Sequence, residues 1–427
     1  MIKKFITSIA LSTLAITASA ITLDECQQLA QAQYPLTAEY GLVAKTAQYD
    51  IENISKNNLP QVSAYAQATW QNRVASFPDN MAAMFSKTGI DLKGVKKDQY
   101  KIGAEVNQKL WDGGDVKSQQ ESRRAESEVS KAKLDVEMYQ LRKRINDLFF
   151  GTLLLQAKAK QNDELQKVLS SNLSLINANV KGGTAMESDA ETVKAELLSA
   201  RQQRIDIEEA EKAYRSMLSI FTGKNLSNEV LEMPAMCETP NADALLRPEI
   251  RLYEAQKAFW NAQKNNVKAS LMPKVGLFAQ GYYGYPGYNM FDDMLHHDFS
   301  FNFMVGVKVQ WNIGGLYRKK ANLQKIDVAQ NDISAQQEVF LFNNSIETQQ
   351  EQSQISNKQR QLSADQEIID LRTSVRKATE AKLSNGIIIV NDLVRYITDE
   401  NQAKIAKSVH EIELLKSIYD LKFTTNK

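Results

Sequence analysis

The sequence has little cysteine, histidine, proline and glycine. These shortages argue against a disulfide scaffold and against most metal sites built from cysteine or histidine, and they favour long helices. Its 427 residues include 2 cysteines, 3 histidines, 8 prolines and 18 glycines. Two cysteines, Cys26 and Cys237, are too few for a disulfide-stapled scaffold, although their even number leaves one bridge between them open. Because proline and glycine end helices, their scarcity over long stretches favours long helices.

The balance of charges argues against a nucleic-acid-binding protein. Lys and Arg number 52 against 51 Asp and Glu, which gives a formal net charge of +1. A near-neutral chain without a basic block is a poor partner for nucleic acid. No nucleotide-binding loop or catalytic dyad stands out, and His296-His297-Asp298 lacks the spacing of metal ligands. We therefore predict no enzyme, no cofactor and no metal site.

The first 20 residues have the pattern of a cleaved secretory signal. Lys3 and Lys4 form a positive start, residues 5–16 are mostly apolar, and Ala18-Ser19-Ala20 is a small-x-small cleavage site. The alternative is a buried N-terminal helix. Past residue 20 no apolar run approaches the roughly 20 residues of a membrane-spanning helix. Any contact with a membrane must therefore come from β-strands or from the protein surface.

Short motifs occur twice along the chain, which predicts one structural unit present in two copies. The paired motifs are 201 to 213 residues apart. They are Pro60 and Pro273, Gly113-Gly114 and Gly314-Gly315, and Gly183 with Asp189 and Gly386 with Asp392. Two copies are too few for a solenoid, so a pseudo-twofold protomer is expected. The predicted divisions are a signal at 1–20, a first repeat at 21–222, a linker at 223–247 and a second repeat at 248–427.

Four segments alternate between apolar and polar residues, which predicts four β-strands. They lie at about 60–71, 99–110, 273–282 and 299–312. They exceed the roughly 5–6 residues of an ordinary strand and match the roughly 9–11 residues of a tilted strand that crosses a bilayer. Aromatic residues cluster at the strand ends, as in a membrane girdle. The alternation fits an ordinary sheet with one wet face equally well.

Two very long helices are predicted between the strands and the glycine turns. Apolar residues from Leu134 to Leu155 step alternately by four and three, which is the spacing of coiled-coil packing. The stretches Gly113–Gly183 and Gly314–Gly386 correspond to helices about 100 Å long at about 1.5 Å per residue. Helices of that length do not fold into a compact globule, which favours the membrane-crossing strands. Four strands cannot close a membrane barrel, so several protomers must pool theirs.

The order of these elements resembles the TolC family of outer-membrane efflux proteins. The marks of the resemblance, which covers 22–422, are Thr22-Leu23-Asp24-Glu25-Cys26, Leu59-Pro60, Leu110-Trp111-Asp112-Gly113-Gly114 and the two glycine turns. It implies a mainly α fold with a β-barrel portion, in which a homotrimer pools its transmembrane strands into one outer-membrane barrel in contact with lipid. The coiled-coil helices then form a periplasmic helical barrel. The implied function is export of small molecules or secreted proteins with a periplasmic adaptor and an inner-membrane transporter.

Two tip turns are the predicted functional sites. We expect Gly182-Gly183-Thr184 and Asn385-Gly386-Ile387 to dock the adaptor, unless these glycines only end helices. Asp189, Asp392 and Arg395 are expected to form the periplasmic gate. Well-studied family members carry a second acid where this chain has Arg395, which leaves Arg395 to pair with a neighbouring acid or to remain a solvated charge.

A second class of function fits part of the sequence. A structural coiled-coil or adhesin-like surface protein without a transport role would explain the heptads. It would not explain paired amphipathic strands that recur at one separation.

Overall fold

The computed structural model describes residues 20–91, 94–235, 246–385 and 387–426. Its elements, in chain order, are α1 (Leu23–Gln33), α2 (Thr37–Lys56), β1 (Gln61–Trp70), α3 (Asp79–Ser86), β2 (Asp98–Trp111), α4 (Asp115–Lys181), α5 (Glu187–Thr222), α6 (Pro248–Ala269), β3 (Lys274–Tyr285), α7 (Met290–His296), β4 (Ser300–Gln310), α8 (Gly315–Ser384) and α9 (Val390–Thr425). Helices therefore make up most of the described chain, and all four strands are long.

The chain divides into two compact units. The helical unit takes its described residues from Met1–Tyr40, Lys133–Ile250 and Glu338–Lys427. The sheet unit is formed by Gly41–Ala132 and Arg251–Gln337. Among the described residues, no helix combines the length and the hydropathy needed to span a membrane.

The sheet unit is built on one antiparallel sheet in the order β1-β2-β3-β4. β1 pairs with β2 from Gln61 opposite Asn107 to Trp70 opposite Asp98. A bulge near the end of β2, between Lys109 and Trp111, places Trp111 opposite Val275. Bulges of this kind insert one extra residue and re-aim the side chains that follow. The alternation of apolar and polar side chains along β2 is therefore interrupted there.

The repeated Trp-Asp/Asn motif starts the two longest helices. The Asp112 carboxylate accepts from the Gly114 N–H at 2.9 Å and from the Val116 N–H at 2.7 Å, which caps α4. Gly113 has φ 70° and Gly114 has φ 84°, a conformation open to glycine at little cost. Before α8, the Asn312 side chain accepts from the Gly315 N–H at 3.1 Å. The motif therefore marks the turn from strand to capped helix.

The helical unit is held together by apolar clusters along its helices. The largest surrounds Phe149 and Phe150 on α4 and includes Cys26 on α1. Burial raises the pKa of the Cys26 thiol to about 11, as expected for an inert core cysteine. Cys26 is a free cysteine in the structure, and Cys237, the other candidate for the bridge left open by the sequence, lies outside the described residues.

The Thr-Leu-Asp-Glu motif is the start of α1. The Thr22 hydroxyl accepts from the Glu25 N–H at 3.2 Å, and the Glu25 carboxylate accepts from the Thr22 N–H at 3.1 Å. This reciprocal pair is a capping box. Two helices precede the first strand, because Pro35 between α1 and α2 lacks the N–H that a continuous helix would use.

Candidate functional site

One face of the sheet is apolar and exposed. The register brings residues of all four strands into rows on this face, such as Val62, Val106, Ala279 and Val305. On β4 the exposed side chains of this face are Phe301, Phe303, Val305, Val307 and Val309. Val305, the central residue of β4, is 68% exposed. A contiguous apolar patch of this extent is unusual on a soluble monomer and indicates a surface that lipid or protein covers.

The opposite face of the same sheet is polar. It carries Gln61 and Ser63 on β1, Glu105 and Asn107 on β2, and Lys308 and Gln310 on β4. Asn107, Lys308 and Gln310 are exposed. The sheet therefore separates an apolar side from a wet side, as the wall of a water-filled membrane pore must.

The sheet has two outer strands, β1 and β4, each paired on one side only within the described chain. Each thus presents a row of backbone N–H and C=O groups on its free edge, a template for pairing with another strand. Because successive strands are antiparallel, β1 and β4 also run in opposite directions. A β4 edge can therefore pair with a β1 edge of another copy in an antiparallel ladder.

The two predicted tip turns belong to the helical unit, and one apolar cluster joins them. Leu169 and Ile176 near the end of α4 pack with Val193 of α5 and with Leu393 and Ile397 of α9. These side chains are buried. The structure therefore brings the start of both return helices together beside the end of α4.

The first tip turn is tight and exposed. Gly183 has φ 75°, and the Thr184 N–H donates to the Asn179 carbonyl at 2.9 Å. In the second turn the Ile387 N–H donates to the Lys382 carbonyl at 3.0 Å, while Gly386 lies outside the described residues. Exposed apolar side chains flank both turns, namely Met186, Ile387 and Ile389.

The predicted gate residues share one region but do not pair with each other. The Asp189 carboxylate accepts from the Met186 N–H at 3.0 Å and so caps α5. Arg395 donates to the Tyr396 hydroxyl at 3.1 Å and lies 4.9 Å from the centre of that ring. Across the described ranges Arg395 makes no ion pair, with Asp392 or with any other acid. Its role in a gate stays a prediction.

A buried ionic link between α8 and α9 escaped the sequence analysis. Glu400 is 3% exposed and accepts from Arg376, from Lys404 at 2.7 Å and from the Thr373 hydroxyl at 3.0 Å. Burial alone would raise the pKa of Glu400, but hydrogen bonds from Lys404, Arg376 and Thr373 lower it. The sequence shows only the pairs within each helix, Arg376 with Glu380 and Glu400 with Lys404, at helical i,i+4 spacing.

The adjacent histidines are engaged in local contacts. His296 Nδ1 lies 2.9 Å from an Asp292 carboxylate oxygen. His297 Nε2 donates to the Gly94 carbonyl at 2.6 Å. The first contact lies within α7, and the second ties the end of α7 to the loop before β2.

Solved structures with this fold are outer-membrane channels. The channel OprN matches with a TM-score of 0.69 at 16% identity, over 94% of this chain and 89% of that chain. The CmeC channel of Campylobacter jejuni matches with a TM-score of 0.68 at 14% identity, over 100% of this chain and 93% of that chain. The outer membrane protein VceC of Vibrio cholerae matches with a TM-score of 0.68 at 13% identity, over 94% of each chain.

Comparison of the sequence with models of known protein families and with curated proteins found no match. At identities this low, the structural likeness concerns the fold. The chain therefore has the fold of these outer-membrane channels, and the mainly α fold implied by its resemblance to the TolC family is confirmed, whereas the homotrimer and its pooled barrel stay predictions.

Proposed function

We propose that this chain is the protomer of an outer-membrane export channel whose helical part lies in the periplasm. The observation that carries the proposal is the sheet with an exposed apolar face and a polar face. That division is the pattern of a membrane barrel, with lipid outside and water inside. The similar solved structures, which are outer-membrane channels, support the same assignment.

The barrel requires more than one copy of the chain. Lipid offers no water to the free edges of β1 and β4, so open edges are not tolerated there. Antiparallel pairing of β4 with β1 of the next copy closes the ring and repeats one heterologous contact. The resemblance to the TolC family sets the number of copies at three.

The protomer is proposed to be an internal twofold repeat. α4 has 67 residues and α8 has 70, and α5 and α9 have 36 each. Each half places two antiparallel strands before its long helix. Matched lengths of this kind let the halves of three protomers surround one channel evenly.

Export needs an energised partner, because the sequence contains no nucleotide-binding motif of its own. We propose that a periplasmic adaptor docks on the tip turns and links the channel to an inner-membrane transporter. The exposed Met186, Ile387 and Ile389 support this, since apolar side chains at a tip are well suited to a protein contact.

Cell fractionation combined with a dye-export assay tests the proposal. The protein should appear in the outer-membrane fraction as a detergent-resistant, heat-labile trimer, and cells that lack it should accumulate a fluorescent export substrate. A structural coiled-coil or adhesin-like protein would leave dye accumulation unchanged. The channel assignment would be overturned if wild-type cells contain the trimer in the outer membrane and cells that lack the protein accumulate no more dye than wild-type cells.

A further inference from the structure

The start of the loop between β3 and β4 (residues 286–299) folds back over the polar face of the sheet, whereas Met294 of α7 in the same loop packs with Val95 and Tyr285. The Tyr288 N–H donates to the Asn302 side-chain oxygen at 2.8 Å. The Gln280 amide donates to the Tyr288 hydroxyl at 2.7 Å. Asn302 pairs directly with Tyr282 across the strands, and Gln280 lies two residues from Tyr282 on the same face. The Tyr288 ring therefore lies on the wet side of the sheet.

The loop covers a substantial length of strand. Gln280 precedes Tyr285, the last residue of β3, by five residues, or roughly 17 Å at about 3.3 Å per residue. Under the loop, Tyr282 is 4% exposed and Asn302 is 9% exposed. Farther along the same face, Lys308 and Gln310 are exposed. Burial on a face that is otherwise open to water identifies the loop as its cover.

The chain is shaped to lie close to the sheet at Gly287. A side chain there would place its Cβ 2.5 Å from the Ser300 hydroxyl and 2.8 Å from the Asn302 side-chain oxygen. A Cβ there would displace the Ser300 hydroxyl and the Asn302 side chain, which accepts from the Tyr288 N–H. The Tyr282 hydroxyl also donates to the Pro286 carbonyl at 3.1 Å, which fixes the residue before Gly287.

A buried acid holds the loop in this path. The Asp293 carboxylate, on α7, accepts from the Gly287 N–H at 2.7 Å. The Tyr285 hydroxyl donates to the Asp293 carbonyl at 3.0 Å and accepts from the Lys96 N–H at 3.0 Å. Because Asp293 and Tyr285 are buried, the contacts that hold the loop are shielded from water. The fold-back is thus a built feature of the loop.

On the basis of the channel function proposed above, we infer that the start of this loop, residues 286–288, is a constriction at this end of the pore and that Tyr288 sets its size limit. The polar face is the water-filled side of the barrel, so a loop that lies on it narrows the passage. Each copy of the chain contributes one Tyr288 side chain, and these side chains together define the largest solute that passes. The tip turns are not needed for this restriction.

Single-channel recording of the purified full-length trimer in planar bilayers tests the inference, with exclusion by polyethylene glycols of graded size as a second readout. Tyr288→Ala should raise conductance roughly twofold and admit larger polymers, since conduction follows the pore diameter. Gly287→Ala should do the same by a different route, because the added Cβ displaces the Asn302 side chain that accepts from the Tyr288 N–H. The matched control is Phe303→Ala, which removes an aromatic ring from the opposite, apolar face of the sheet, where it is 71% exposed.

The possible outcomes separate the two proposals. Conductance and polymer exclusion unchanged in both loop variants, in a trimer whose wild type conducts, would overturn the constriction and leave the channel function standing. An equal rise in Phe303→Ala would also overturn it, because that ring does not face the pore. A correctly assembled wild-type trimer that never conducts would overturn the channel function and this inference together.

Discussion

Replacing Val305 with arginine tests whether the apolar face meets lipid. Val305 is the sixth of the 11 residues of β4, so roughly 17 Å of strand lies on either side of it at about 3.3 Å per residue. It is therefore at the middle of the apolar belt, and its row neighbour Ala279 offers no polar partner. An arginine at the bilayer midplane costs about 2–4 kcal/mol. Three copies raise the cost to roughly 6–12 kcal/mol per trimer, comparable with the whole stability of many proteins.

Met304→Arg is the matched control for this substitution. Met304 is adjacent in β4, lies on the opposite face and is 40% exposed. Val305→Arg should abolish heat-labile trimers on semi-native gels and in reconstituted vesicles, whereas Met304→Arg and Gln310→Arg should assemble normally. Equal assembly of all three variants would refute the membrane placement of the sheet.

Three further predictions concern the helical unit. Bulky substitutions at Thr184 or Ile387 should abolish dye export and leave trimers intact, and normal export would refute adaptor docking there. Asp189→Ala combined with Arg395→Ala should raise conductance and antibiotic entry if these residues hold a gate. Unchanged conductance with mild destabilisation would show that Asp189 only caps α5. Burial raises the pKa of Glu351 from 4.5 to about 7, so the folded chain retains a proton that the unfolded chain releases. The free energy of unfolding should then fall as pH rises from about 5 to 7 and level off above it. Glu351→Gln should flatten that decline in denaturation series, and an unchanged slope would contradict this origin.

Patterns of short period predicted the regular elements. The steps of four and three from Leu134 onward predict α4, because buried residues on a long helix must recur on one stripe. Strict alternation around Val305 predicts β4 and its two faces, since successive side chains of a strand point to opposite sides. The strand-to-helix turns were visible as well, because Asp112 and the glycines after it are required by the local geometry.

Features that depend on distant partners were not predictable in this way. α3 and α7 are 8 and 7 residues long, too short to show a helical period. The return of Tyr288 onto Asn302 depends on how the whole loop is held, which no local pattern records. The link from Arg376 to Glu400 joins two helices across a turn, so its partners became evident only once both helices were placed.

Single-channel recording of the purified trimer is the decisive test of the proposed channel. We expect long-lived, discrete conductance steps from trimers that are assembled and heat-labile. These steps should be absent from preparations of Val305→Arg, which is expected not to assemble. The contrary result is an assembled trimer that inserts into the bilayer and shows no conductance. That result would contradict the proposed channel if it persists without a partner on the tip turns and after substitution of the gate residues.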